Sequence, residues 1–491
     1  MRTELRPVLS TPVAAILAAV LAGCAAGPDY RAPDVSASFS YHGGTTLAAR
    51  AGEAPSPVLS AWWLGFDDPE LARIVERTIA QNLDLAASQE RVEQARAAAA
   101  RASASRLPEA SVDGSVARER QSLRSPLGEV AGHAPGYERT QTLAQLGAGA
   151  SWEADIAGGL RRGEEAADAE LEVAQAEHAG VRISLAAEAA DAYLRVRGAQ
   201  ARIAIAQHQI DNESQLVDLV RLRRDKGLGS TREVAQAEAV LLQAQASVPP
   251  LRREMAAQLF RLDVLSGAAP GTSEPEVTAS PIAFKVPAID TAGGPGDLLR
   301  RRPDVIAAER RVAASNARIG VAIAGYYPSF SLSGVLGFES LAPGKLLSAS
   351  AFQPAALAGL HWRLFDFGRV DAEVAQARGA NREALLRFRS SMLRATEDVE
   401  DAIVALTELE NQHALLAREV DAHLQAREAA QDAWRGGAVS LVEVLDEDRQ
   451  LLAAQDLLAS VHTDDARSAV AAFRALGGGW TLPHAAQVAA R

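Results

Sequence analysis

The chain has 491 residues, 48% apolar and 23% charged, a globular composition that excludes wholesale disorder. A net charge of −12 excludes a broad nucleic-acid-binding surface, and a single cysteine excludes an intramolecular disulfide framework or a Cys-cluster metal site. Aromatic residues make up only 5%, and the prominence of Ala, Leu, Glu, Gln and Arg favours long helices over an all-β fold.

Arg2 and Arg6 precede an apolar stretch from Val8 to Leu21, which ends in Leu21-Ala22-Gly23-Cys24. A positive start, a short apolar region and small residues before a cut predict a secretory signal peptide over 1–23. The apolar region, about 14 residues, is too short for a spanning helix, which needs roughly 20. The lone Cys24 directly after Leu-Ala-Gly resembles a bacterial lipobox, in which the thiol receives a diacylglycerol, the signal is cut away, and the new amine is acylated. Ala25 follows rather than Asp, which favours the outer membrane.

Residues 24–60 are rich in Pro, Gly, Ala and Ser without a period and read as an extended lipid-anchored segment. Asp68-Pro69-Glu70 opens a helix, and a second helix is predicted from about Asp84 to Arg106. After Pro108 the period changes to two. Ala110, Val112, Gly114 and Val116 alternate with polar residues, then a Pro/Gly loop, then Ala144, Leu146, Ala148 and Ala150 alternate up to Trp152. This predicts a β-hairpin over about 108–153. A proline-free helix is expected over about 161–226, roughly 100 Å long, running through Gly163, Gly180 and Gly198. Gly227-Leu228-Gly229-Ser230 forms a stop and a new N-cap, followed by a helix to about Leu265.

Residues 266–296 form a Pro/Gly/Ser-rich linker, after which the pattern repeats over 297–477. A helix from Pro303 to about Ala324 precedes a hairpin over about 327–365, whose apolar rows are Phe330, Leu332, Gly334, Leu336 and Phe338, then Ala356, Ala358, Leu360, Trp362 and Leu364. A second long helix is expected over about 369–435, a turn at Gly436-Gly437, and a helix from Leu441 to about Leu476, leaving a tail at 478–491. Gly227, Ser230, Glu233 and Gly267 match Gly437, Ser440, Glu443 and Gly477 at an offset near 210, as do Trp152 and Gly158 with Trp362 and Gly368. Pro108 and Gly114 match Pro328 and Gly334 at 220. The chain is an internal duplication, first repeat 61–265 and second 297–477.

Four strands, apolar on one face and polar on the other, suit a barrel with lipid outside and water inside, yet four cannot close one. Open edges are not tolerated in lipid, so several chains must share the barrel; three would supply twelve strands. Two short helices stacked end to end match the length of each long one, which would build a wall of even height.

Several motifs resemble the trimeric outer-membrane channel proteins of the TolC and OprM kind, most closely the NodT-type efflux lipoproteins. They are Cys24 with Gly27-Pro28-Asp29-Tyr30 and Pro33; Trp62-Trp63 with Phe66, Asp68-Pro69 and Leu71; Arg301-Arg302-Pro303-Asp304-Val305, Ala308-Glu309-Arg310, Ala317-Arg318-Ile319-Gly320-Val321-Ala322 and Tyr327-Pro328; and Phe365-Asp366-Phe367-Gly368-Arg369. The resemblance covers nearly all of 24–480. Ala157 stands where the first repeat usually has Phe, and Val248-Pro249-Pro250 interrupts a helix with no counterpart in the second repeat.

The resemblance implies a mainly α protein with a membrane β-barrel: a homotrimeric channel, four strands per chain in a shared barrel of twelve, on a long periplasmic α-helical barrel with an equatorial region. It implies the outer-membrane component of a tripartite efflux system, a passive exit duct for small molecules that works with a periplasmic adaptor and an inner-membrane pump of the RND type. A type I protein secretion duct and a non-conducting, periplasm-spanning lipoprotein remain alternatives. In such channels the turns at Gly227, Leu228, Gly229 and Ser230 and at Gly437, Ala438, Val439 and Ser440 face the adaptor. Asp446 falls where they carry a pore-constricting aspartate. Glu443, Asp446 and Glu447 are spaced to share one helix face, and three-fold symmetry would turn Glu443 and Asp446 into rings of acids that select cations.

No catalytic constellation emerges. The nine histidines are scattered, Glu410 and His413 form a single Glu-x-x-His, Gly477-Gly478-Gly479 does not join a strand to a helix, and there is no Gly-x-Ser-x-Gly. The chain is read as no enzyme, without metal, nucleic-acid partner or cofactor other than the lipid on Cys24.

Overall fold

A computed structural model describes residues 25–33, 58–272, 277, 285–287, 289 and 301–480. The signal peptide, Cys24, most of the 24–60 segment, most of the 266–296 linker and residues 481–491 lie outside the described residues.

In chain order, a 3-10 turn at Leu59–Phe66 leads to α1 (Pro69–Gln81), α2 (Leu83–Ala104), β1 (Glu109–Arg120), the six-residue α3 (Pro126–Ala131), β2 (Thr140–Ala154), α4 (Gly159–Asp225) and α5 (Thr231–Leu265). The second repeat supplies α6 (Pro303–Ala324), β3 (Ser329–Ser340), β4 (Phe352–His361), α7 (Arg369–Arg435) and α8 (Leu441–Ala475). α4 and α7 have 67 residues each, α5 and α8 35 each. β4 stops at His361, so Trp362 and Leu364 lie beyond the strand expected to reach 365. α5 runs through Pro249-Pro250 without a break, because Val248 and Leu251 on either side stay buried and hold it in place. The short α3 arises from Ser125, which accepts the Gly128 amide at 3.2 Å, with Pro126 behind it.

The strands form one antiparallel sheet in the order β1-β2-β3-β4. Glycines matched between the repeats share their backbone angles: φ is 74° and 80° at Gly158 and Gly368, 73° and 74° at Gly227 and Gly437, and 68° and 70° at Gly267 and Gly477. Each is a helix start or stop that needs the left-handed region.

The chain divides into two compact units. One holds residues 25–33, Glu93–Val173 and Glu309–Arg387, and with them all four strands. The other holds the described residues of 34–92, 174–308 and 388–491. Its core is centred on Trp62, which stacks on Phe473 with ring centroids 5.4 Å apart, alongside buried Phe66, Leu71, Ile74, Leu194, Leu262 and Leu406. The buried Tyr193 hydroxyl donates to Asp68 at 2.6 Å and accepts from Arg197 at 2.8 Å; the other Asp68 oxygen caps α1 by accepting from Glu70 and Leu71. In this unit the end of α5 meets the start of α2, where Asn82 donates to the Leu265 carbonyl at 2.9 Å and caps α2 through Leu85. The end of α8 meets the start of α6, where Arg302 donates to the Ala475 carbonyl at 3.2 Å. Both short-helix pairs therefore abut end to end.

Candidate functional site

Register decides which side chains share a face of the sheet. Val112 lies opposite Ala148, which lies opposite Leu336; Gly114 opposite Leu146, and Leu146 opposite Phe338. Leu332 lies opposite Ala358 and Phe330 opposite Leu360. Directly opposed residues point the same way, so the four apolar rows coincide on one face. Val112, Val116, Leu332, Leu336 and Leu360 are all more than half exposed there. The other face carries Ser111, Asp113, Ser115, Gln145, Ser331, Ser333 and Glu339, with Gln145 donating to Glu339 at 2.7 Å. Leu143, Val335 and Leu357 are the large apolar exceptions on it. Strands of 10 to 15 residues are long enough to cross a bilayer when tilted.

At the end where β3 begins and β4 finishes, Tyr326, Tyr327, Trp362, Phe365 and Phe367 are exposed, the last two at 90% and 102%. Two fully exposed phenylalanines are costly in water, and an aromatic band at the end of an apolar sheet face matches the interfacial girdle of membrane barrels. Among the described residues no helix is long and apolar enough to cross a membrane.

The two tip turns have one design. The Leu228 amide donates to the Arg223 carbonyl and the Ala438 amide to the Ala433 carbonyl, both at 2.8 Å, which closes each long helix around Gly227 or Gly437 in the left-handed region. The next helix opens with a capping box: the Ser230 amide donates to the Glu233 carboxylate at 2.6 Å and the Ser440 amide to Glu443 at 3.4 Å. That donation from the Ser230 backbone holds the Glu233 carboxyl below its ordinary range. A shared apolar cluster of Val220, Val234, Trp434, Leu441, Val444 and Leu445 brings the turns together, with the Arg223 guanidinium 4.9 Å over the Trp434 ring. Val439 packs against this cluster, whereas Leu228 is 71% exposed.

The expected shared acid face at the start of α8 is divided. Glu443 is occupied by the cap. Exposed Asp446 accepts from Arg449 at 3.1 Å and Gln450 at 2.8 Å, and borders a groove of about 230 Å³ lined also by Gln236, Val240, Val442 and Leu445. Glu447 instead meets His423 of α7 at 3.1 Å. The spacing i, i+3, i+4 places the three acids near one another, but Glu443 and Asp446 find partners on their own helix and its cap, whereas Glu447 is taken by α7.

Motifs far apart in sequence meet in the unit that holds the sheet. The Tyr30 hydroxyl donates to Glu309, Arg310 lies 5.6 Å over the Tyr30 ring and pairs with Glu172 at 2.9 Å, and Asn316 donates to the Pro28 carbonyl at 2.9 Å. Burial and then the Glu309 carboxylate raise the Tyr30 pKa, keeping its proton on. A Cβ on Gly320 would fall 2.6 Å from the Ala26 oxygen, which explains the glycine. Arg162, missed in the sequence, is the hub: 4% exposed, it donates to the Ala26 carbonyl at 3.1 Å, Asp29 at 2.6 Å and Glu165 at 2.7 Å. Burial works against its charge, but the two carboxylates hold it above its ordinary pKa. Its nearest sequence signal is position, just after Gly158, and that alone does not reveal a partner at 29. Among the described residues, no group of three or more His, Cys, Asp and Glu is placed to hold a metal ion.

The family model described as outer membrane efflux protein matches residues 74–268 and 294–478. The chain is 32% identical over 419 residues to the pyoverdine export outer membrane protein of Pseudomonas putida, covering 85% of this chain and 88% of that one. It is 29% identical over 479 residues to nodulation protein T of Rhizobium leguminosarum bv. trifolii, covering 96% and 97%. Among solved structures, the outer-membrane channel OprN aligns with a TM-score of 0.81 and 33% identity, over 93% of this chain and 100% of that one.

Proposed function

This chain belongs to the outer membrane efflux protein family, and on that premise we propose that it is the passive exit duct of a tripartite efflux system for small molecules. The single observation that carries the reading is the coincidence of four apolar rows on one sheet face and polar residues on the other, which is the wall of a water-filled barrel in lipid. β1 and β4 each have a strand on one side only, and edges are not left open in lipid. Three chains supplying twelve strands satisfy both edges and leave a lumen. In this reading Cys24 carries a diacylglycerol and an N-acyl chain in the outer membrane, the tips at 227–230 and 437–440 meet a periplasmic adaptor, and an inner-membrane RND-type pump selects the cargo. Asp446 narrows the tube. The pyoverdine exporter among the relatives favours small molecules over protein as cargo. The duct does no chemistry on what passes.

The test is conductance. The purified full-length protein in planar bilayers, and swelling of liposomes that contain it, should report passage of ions and small solutes. Membrane insertion with neither conductance nor swelling would leave a structural lipoprotein instead.

A further inference from the structure

Glu213 on α4 is 1% exposed. Its Oε1 accepts from Gln209 Nε2 at 2.7 Å, and its Oε2 has no hydrogen-bond partner among the described residues. Asp448 on α8, 2% exposed, is near enough to repel it and accepts from Arg427 of α7. Of the two buried carboxylates only Asp448 contacts a guanidinium, and Glu213 feels that cation only at a distance. With both ionised, a net negative charge would remain where water does not reach it, so the less costly state keeps a proton on Glu213. Burial, then Asp448, push the Glu213 carboxyl up to about 7, against the pull of Gln209 and Arg427. Burial also raises Asp448, opposed by Arg427.

The charged and titratable groups around the cluster are Arg427 and His423 from α7 and Asp448 and Glu447 from α8, with His423 and Glu447 3.1 Å apart. Gln209 and Arg427 also border a cavity of about 720 Å³ lined by His208, His413 and His462. About four turns further along, α4 and α8 come close again, where a Cβ on Gly198 would fall 2.4 Å from Thr463 Oγ1. Every group in the cluster belongs to one chain, so its burial does not depend on assembly.

We propose that Glu213 is a proton-operated latch between α4 and α8, seating α8 while protonated and repelling Asp448 once ionised. Ionisation biases toward release the helix start that carries Asp446, two residues from Asp448. The latch rests on the duct reading only for its consequence, a conductance that changes with pH.

The test uses the full-length protein in planar bilayers from about pH 5.5 to about pH 8.5, a window spanning the Glu213 titration. Wild type should change conductance with a midpoint near pH 7. Glu213→Gln should stay at the acid-side level throughout, and Asp448→Asn should move the midpoint toward acid by about one unit or more, because an anion is removed. A wild type without a transition, or an unchanged transition in Glu213→Gln, overturns the latch. Thermal unfolding in detergent gives a readout independent of conduction. The unfolded carboxyl releases its proton near 4.5 and the folded one near 7, so across that window wild type should lose stability relative to Glu213→Gln as pH rises. A constant difference between the two proteins overturns the latch. The expected slope in protein that conducts at no pH upholds the latch and sinks the duct.

Discussion

The Trp362 indole nitrogen donates to the Tyr326 carbonyl at 3.0 Å, fastening the end of β4 to the end of α6. The first repeat makes the same bond, Trp152 to the Arg106 carbonyl at 2.9 Å. The donors are 210 residues apart and the acceptors 220, the two offsets found in the sequence repeat. Trp152→Phe and Trp362→Phe keep an aromatic ring while removing the donor along with the smaller ring of the indole. Each should cost about 1 kcal/mol, and the double variant about the sum, since the sites share no partner. Thermal melts of the assembled protein check this; melts identical to wild type would remove the bond from the account of stability.

Gly320→Ala should displace the segment that follows Cys24. The added Cβ would meet the Ala26 oxygen at 2.6 Å, and both neighbours there are backbone or the buried Arg162 stem. Overpacking of this kind costs about 1–3 kcal/mol, and the displaced segment should become open to proteases. Limited proteolysis with mass spectrometry should find new cuts between residues 25 and 33; wild-type resistance would show that the segment re-seats.

Cys24→Ser should leave a precursor without lipid, because a hydroxyl is a poor nucleophile for diacylglycerol transfer. Metabolic labelling with palmitate reads it directly. Label retained by the variant would move the acylation elsewhere. Conductance of protein that does reach the membrane should survive, since the sheet face itself provides the hold.

Glu443 and Asp446 should separate. Glu443→Ala removes the acceptor for the Ser440 amide and should cost about 1 kcal/mol at the start of α8, with little change in ion selectivity. Asp446→Asn leaves the cap intact and should weaken cation preference, read as a shift in reversal potential under a salt gradient. Equal selectivity in Asp446→Asn and wild type would place the constriction at other residues.

At the tips, Leu228→Trp and Ala438→Trp should lower drug resistance in an efflux assay while the protein assembles normally. Both side chains are exposed, and neither takes part in the hydrogen bonds that close and cap the turns, so bulk there changes the surface and not the turn. Val439→Trp should instead disturb folding, because Val439 packs against the Trp434 and Val444 cluster. Full resistance in the Leu228 and Ala438 variants would put the adaptor contact on another surface.

Much of this protein was legible in one dimension. Period-two rows separated by Pro/Gly loops specify strands, long proline-free stretches ending in glycine specify helices, and an offset of 210 marks the repeat. These are local properties, set by backbone sterics and by the alternation of apolar and polar residues. The capped turns at 227–230 and 437–440 were legible for the same reason, because a Schellman turn and a capping box are each closed within seven residues. Where local signals were weaker the reading slipped: alternation ran past His361 although the ladder ends there.

Only the tertiary structure decided which distant groups face each other. Arg162 meets Asp29, Tyr30 meets Glu309, and Glu213 meets Asp448 across separations that no period encodes. The same holds for the acids that open α8. Their spacing alone puts Glu443, Asp446 and Glu447 together; Ser440 and Arg449 pair with the first two locally, and only the packing of α7 gives Glu447 to His423. A charged side chain is identified by its sequence, but its pKa and its role are set by what desolvates and pairs it.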